Sequence, residues 1–303
     1  MQSVSKITIP ELEMFGFSSM NAVKALLLLY GYEMKQVRQK YPSNNIDDLH
    51  GYKAFLLEKL MHSASTYIMV VEECQDYVVA SSILRTMLDG ISVYHLIYQA
   101  NQEEILLRHY LYILDGVSQK LDIDSRHPLC RRDKITEEEY KSLVQKLSFM
   151  RNNLNQAKDF CIQEIRNLEI YPSRKSQIER LILKSNWKFK SFENPKEYKW
   201  SELHDLLPTK FQGIYSDFCD YLSQHVHGLS MSNLTIETAN KDLYEPLSAN
   251  VALVLYFIHV AMLKDFEVDM PFLTKGLLDS EDFRASLAYY SESYKNELFN
   301  RNT

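Results

Sequence analysis

The residues of this chain best suited to chemistry fall on two short polar strips in helix-forming sequence. In the first, Ser82, Arg85, Asp89 and Ser92 share a narrow stripe at 3.6 residues per turn. Val79, Ile83, Leu84, Met87, Leu88, Ile91, Val93 and Tyr94 flank it on both sides. A helix apolar on both sides of a charged stripe is central to its fold. A lone Arg85 is too costly to bury there, so Asp89, one turn on, is its nearest partner. Two roles fit the pair: a structural ion pair that fixes helix register, or a guanidinium that also faces a cleft and binds an anion or a carbonyl oxygen.

The second strip carries Ser216, Asp220, Ser223 and His227, with Gln224 at its margin. Tyr215, Phe218, Cys219, Leu222 and Val226 make the opposite, apolar face. His225 points to that apolar side and reads as a satisfied core histidine. Gly228 suits the residue just past a helix end, where a left-handed conformation is cheap only for glycine. His227 then lies in the last turn, where the helix dipole favours its protonated form. A solvent-facing stripe is the alternative reading.

The helix Leu84-Arg85-Thr86-Met87-Leu88-Asp89, followed over a hundred residues later by Leu222-Ser223-x2-Val226-His227-Gly228, resembles an uncharacterised bacterial all-helical family, one of the domain-of-unknown-function groups. That family is in turn distantly similar to the HEPN (higher eukaryote and prokaryote nucleotide-binding) helical domains. The resemblance spans about residues 63–229. It implies that Arg85, Asp89 (where the family carries Glu), Ser223 and His227 belong together, with Cys219 standing where the family carries Tyr. It further implies metal-independent RNA cleavage, in which His227 moves protons and Arg85 stabilises charge on the phosphate. Imidazole titrates near neutrality and guanidinium forks onto phosphate oxygens, so the chemistry suits these two residues. The HEPN catalytic signature, an Arg ahead of a His with four to six residues between them, does not occur in the chain.

A second candidate surface is the segment from Lys184 to Trp200. It interleaves Lys184, Lys188, Lys190, Lys196 and Lys199 with aromatic rings, a composition suited to phosphate contacts and base stacking or, alternatively, to a packed loop with solvated lysines. The basic loop from Arg126 to Lys134 would extend it if the fold brought the two together. Cys74, Cys130, Cys161 and Cys219 are far apart and read as free thiols, with Cys130 placed among arginines. Adjacent carboxylates such as Glu72-Glu73 and Glu103-Glu104 point about 100° apart on a helix and read as solvated faces. Gly-rich phosphate loops, His-Glu-x-x-His, Gly-x-Ser-x-Gly and inward Glu-x-x-His pairs are missing from the sequence. No metal and no cofactor is therefore expected. The partners left open are a small anionic ligand, RNA or a second copy as a homodimer.

Composition sets the frame for these sites. Only 8 Gly and 8 Pro occur in 303 residues, too few for the turns of an all-β chain. The expectation is an all-α multi-helix bundle forming a single compact domain. Residues 1–62 supply N-terminal helices, 63–229 the motif-bearing core, and 243–303 C-terminal helices packing on it. A net charge of −6 gives no global attraction for nucleic acid or anionic lipid. Residues 1–10 show no secretory pattern, so a cytoplasmic location with no membrane contact is expected. The apolar run from Val251 to Leu263 is shorter than the roughly 20 residues of a spanning helix and reads as a core helix.

Periodicity predicts helices over Ser19–Lys40, Ile46–Asp76, Tyr77–Ala100 (the last two read as separate or continuous), Gln102–Leu121, Thr136–Leu168 and Ser173–Leu183. Further helices are predicted over Glu202–Leu207, Pro208–His227, Leu243–Asp265 and Ser280–Asn300. Thr136-Glu-Glu-Glu139 predicts a capping box. Trp187, Phe189, Phe192, Tyr198 and Trp200 argue that the irregular segment packs rather than links.

Overall fold

The computed structural model describes residues 19–126, 135–207, 214–226 and 241–266. These form an all-α bundle of nine α-helices: α1 (Ser19–Lys40), α2 (Leu49–Met69), α3 (Tyr77–Tyr98), α4 (Ile105–Arg126), α5 (Glu137–Asn167), α6 (Tyr171–Lys184), α7 (Trp200–His204), α8 (Ile214–Val226) and α9 (Lys241–Asp265). Among the described residues the only β feature is an isolated antiparallel bridge between Phe189 and Glu197. The chain divides into two compact units. One takes in the described residues up to Tyr94 and from Leu207 onward, the other His95–Leu206. The helices predicted over Ser280–Asn300 and the start of Pro208–His227 lie outside the described residues.

In the first unit α9 packs chiefly on α1 and also on α2. The contact follows from helical spacing. Val23, Tyr30, Met34 and Val37 of α1 and Val251, Val254, Leu255, Ile258 and Met262 of α9 are buried at spacings that keep to one helical face. Each such side chain contributes roughly 1.5–3 kcal/mol of burial. Among the described residues α9 is long and apolar enough to cross a membrane, yet several of its polar positions are matched inside the unit. Ser248 bonds the Tyr67 hydroxyl at 3.0 Å, and His259 Nδ1 lies 2.7 Å from Glu33 Oε2. Asp265 takes Lys53 Nζ at 3.3 Å and the Tyr94 hydroxyl at 2.7 Å. Pairing of this kind characterises a helix seated in a protein core.

α2 and α3 are separate helices. After Met69 the chain widens into a π-helical turn over Val70–Cys74, and Gln75 takes a left-handed φ of 52°. The Asp76 carboxylate then accepts the Val79 N–H at 2.9 Å and starts α3. Further along, α2 and α3 approach so closely that a Cβ on Gly90 would come 2.5 Å from Leu60 Cδ2. A side chain at position 90 would therefore push the Leu60 methyl aside.

In the second unit the organising side chain is Arg108 of α4, whose side chain is only 3% exposed. Its Nε and Nη2 donate to Glu104 Oε2 at 2.9 and 2.6 Å, and its Nη1 donates to the Trp187 carbonyl at 2.9 Å. The guanidinium also lies 3.9 Å from the Phe189 ring centre. The expectation that Glu103-Glu104 is a solvated face is therefore corrected for Glu104, which is buried. The reason is Arg108 one turn on, in the favourable acid-then-base order along a helix. Burial drives the Arg108 pKa down and Glu104 opposes it, so the carboxylate keeps the buried cation charged.

Arg108 also anchors the irregular segment. Trp187 and Phe189 are buried, and the Trp187 indole donates to Asp115 Oδ2 at 3.1 Å. Lys188 lies over the Trp187 and Trp200 rings and Lys190 over Tyr198, while Glu197 and Glu202 pair with those same two lysines. The aromatic content thus packs, and two of the five lysines are engaged locally.

Thr136 caps α5 as expected: its hydroxyl accepts the Glu139 N–H at 3.2 Å and Glu139 Oε2 accepts the Thr136 N–H at 2.9 Å. Several boundaries differ from expectation, two of them for a clear local reason. α4 continues to Arg126, five residues beyond the predicted end, helped by the Arg126–Asp122 pair one turn apart. α6 begins at Tyr171, because Pro172 needs no amide donor in the first turn.

Arg108→Ala should destabilise the protein by about 3–5 kcal/mol, since it strands a buried Glu104 and frees the segment that Trp187 anchors. Arg108→Met combined with Glu104→Leu should cost clearly less. Denaturant unfolding of the three chains checks this, and equal losses in single and double variants would show that the ion pair is not the reason.

Candidate anion-binding site

α3 and α8 each bring one polar strip to a shared network within the first unit. Arg85 Nε donates to Ser223 Oγ at 3.0 Å, across 138 residues of sequence, and Arg85 Nη1 donates to Asp89 Oδ1. The Ser223 hydroxyl donates in turn to the Cys219 carbonyl at 2.8 Å. Ser223 thus accepts from the guanidinium and donates to its own helix, which fixes the orientation of both groups. Asp220 adds negative charge near Arg85.

Solvent still reaches this network. The Arg85 side chain is 12% exposed and that of Asp89 30%. Burial lowers the Arg85 pKa, with Cys219 and Asp220 opposing that shift, yet a guanidinium stays protonated in proteins. The result is a fixed, partly desolvated cation between two helices and at the edge of water. Such a group discriminates for oxyanions, because its planar fork is preorganised and its charge is weakly screened.

Of the residues singled out by sequence, Arg85, Asp89 and Ser223 come together. His227 lies outside the described residues, as does the side chain of Ser216. His225 needs correction. It is buried, and its Nδ1 faces the Tyr221 carbonyl at 3.2 Å, but its Nε2 is buried with no hydrogen-bond partner among the described residues. It is a core histidine that is only half satisfied. Sequence placed it on the apolar face, and an apolar face supplies no acceptor.

Tyr77 and Tyr221 are contacts that the strips did not disclose. Their hydroxyls meet at 2.9 Å, and the His225 ring stands edge-on to both, with centres 5.4 and 4.8 Å away. Tyr244 meets Tyr77 at 5.7 Å, and its hydroxyl is buried without a partner among the described residues. Burial raises the Tyr77 pKa, and the bonded Tyr221 hydroxyl raises it further, so this phenol stays neutral. Spacing puts Tyr77 two turns before Arg85 on a neighbouring side of α3 but names no partner for it. Among the described residues no cluster of three or more metal-ligating side chains occurs. Cys74, Cys161 and Cys219 are free thiols, and burial pushes Cys161 up to about 12. Cys130 lies outside the described residues. No protein-family model, curated protein or solved structure matches the chain.

Two stability measurements test this geometry. Arg85→Ala should cost about 1–3 kcal/mol, less than a fully buried pair, because water reaches the remaining Asp89 carboxylate. The Arg85→Ala/Asp89→Ala double variant should then cost less than the two single losses added. Additive losses would place the two groups out of contact. Tyr244→Phe, in contrast, should be neutral or stabilising by about 1 kcal/mol, because it removes a buried hydroxyl that has no partner. A loss above that size would reveal a bond that the described residues do not provide.

Proposed function

We propose that the chain is a cytoplasmic helical protein whose Arg85–Asp89–Ser223 centre binds a small phosphate-bearing anion between α3 and α8. The observation that supports this reading is the placement of Arg85. A guanidinium fixed by Ser223 from another helix, and still open to solvent at its edge, is costly as mere packing and well suited to an incoming oxyanion. Asp89 has a defined part in it: it holds the cation in one rotamer and offsets its charge in the free protein. His227, four residues after Ser223 in sequence, is the residue that would add a proton donor. With it, the centre has the components of the metal-independent RNA cleavage implied by the HEPN resemblance.

Thermal shift and calorimetric titration with inorganic phosphate, nucleoside monophosphates and short RNAs test the reading. Binding of at least one class should be saturable, fall as salt rises, and drop by roughly tenfold or more in Arg85→Ala while Arg85→Lys retains part of it. Ser223→Ala should weaken it through loss of orientation. Absence of saturable binding to all three classes, or binding unchanged in Arg85→Ala, rejects the proposal and leaves the network a structural clamp. The RNA titrations are run in chelator and the RNA is inspected for cleavage. A cyclic-phosphate product that disappears in His227→Ala would extend the site from binding to catalysis.

A further inference from the structure

α5 is the most exposed long helix of the second unit: of its 31 residues only Cys161 and Ile165 are buried. Its sequence nevertheless carries a coiled-coil seam. Tyr140, Leu143, Leu147, Met150, Leu154, Ala157 and Cys161 follow the alternating three-and-four spacing of a heptad repeat. Toward its C-terminal end the seam is covered within the unit, since Cys161 and Ile165 are fully buried. Toward its N-terminal end it is open: Leu143 is 38% and Met150 41% exposed, with Val144 exposed beside them.

The open stretch has a physical cause. α4 is the main partner of α5, and beyond Leu114 it turns polar. Asp115, Gly116, Ser118, Gln119, Lys120, Asp122, Asp124 and Ser125 leave few apolar side chains to cover the seam. An apolar stripe on a two-helix layer requires another layer to bury it.

Charge selects the occupant. The open stretch is bounded on one side by Glu137, Glu138 and Glu139 and on the other by Arg151 and Lys158. A parallel copy of α5 would set three carboxylates against three carboxylates. In an antiparallel copy turned about a two-fold axis near Leu147, Glu137 falls opposite position 157, next to Lys158. The acidic turn then meets Lys158, which has Asp159 beside it, at both ends of the contact. Antiparallel helix dipoles favour the same arrangement. Lys141 pairs with Glu137 at 3.8 Å and offsets one of the three carboxylates, which leaves the turn acidic.

We propose that the N-terminal half of α5 is a self-association surface, on which a second copy of this chain docks antiparallel about Leu147 to form a four-helix layer with the two α4 helices. This proposal is independent of the anion site, which lies in the other unit.

The full chain is examined by analytical ultracentrifugation at several concentrations and at low and high salt. A reversible dimer that weakens with salt is expected, because end-to-end ion pairs steer it. Leu143→Asp/Met150→Asp should weaken the dimer by roughly tenfold or more. Both side chains are exposed, so the monomer should keep its helicity and unfolding midpoint. Orientation is read by disulfide trapping in a Cys74→Ser/Cys130→Ser background. Glu137→Cys combined with Lys158→Cys should give a covalent dimer on mild oxidation, whereas Glu137→Cys alone should not. Within one helix positions 137 and 158 are about 30 Å apart, which excludes an internal bond. A strictly monomeric chain overturns the proposal. So does a dimer indifferent to Leu143→Asp/Met150→Asp, or cross-linking through Glu137→Cys alone.

Discussion

A wholly or partly buried cation one helical turn from its carboxylate is the constraint on which both units of this chain depend. Arg85 with Asp89 and Glu104 with Arg108 are the same device placed in two cores. A guanidinium inside a helical bundle is tolerable only when a carboxylate lies within reach and the remaining donors find oxygens. Each arginine meets the second condition by reaching a distant segment: Arg85 takes the Ser223 hydroxyl of α8, and Arg108 takes the Trp187 carbonyl. The requirement to satisfy a buried donor therefore becomes a tertiary link, fixing which part of the chain must pack where.

The two pairs differ in ways that matter for function. Glu104 precedes Arg108, the order that agrees with the helix dipole, and the pair is nearly sealed beneath Phe189. Arg85 precedes Asp89, the less favourable order, and the pair keeps contact with solvent. An ion pair of weaker intrinsic order, held open at its edge and oriented by a serine from another helix, adds less to stability than the sealed one. It is correspondingly better placed to exchange part of its solvation for a ligand. The sealed pair serves packing, and the open pair is where recognition chemistry is available.

Much of this was legible in sequence wherever a local rule decides the outcome. Ser19–Lys40 is bounded by periodicity and by Pro42, Thr136 and Glu139 form the capping box that their spacing requires, and Arg85 with Asp89 is an i,i+4 pair on a mostly apolar helix. Glu104 escaped notice because adjacency to Glu103 drew attention from the pair that matters, Glu104-x3-Arg108. The same rule that singled out Arg85 would have found it. The break after Met69 was less accessible, because a π-helical turn and a left-handed Gln75 carry no glycine or proline to mark them. The Tyr77–Tyr221 bond was beyond reach, since a contact across 144 residues depends on how α8 lies against α3 rather than on either helix alone.

The half-satisfied atoms around Tyr77 follow from the same geometry. α8 must present Ser223 to Arg85, and a helix that turns one side chain toward a fixed partner has its remaining faces determined. Leu222 then enters the core fully buried, and His225, three residues further on, is carried in beside it. Its Nε2 is left among Tyr77, Tyr221 and apolar groups. Edge-on ring contacts recover part of the lost solvation, though less than a hydrogen bond would provide. The cost of an orphaned imidazole nitrogen is tolerated because the register that creates it is set elsewhere. An arginine that must find an oxygen on α8 outweighs a histidine that would be better off without its second nitrogen.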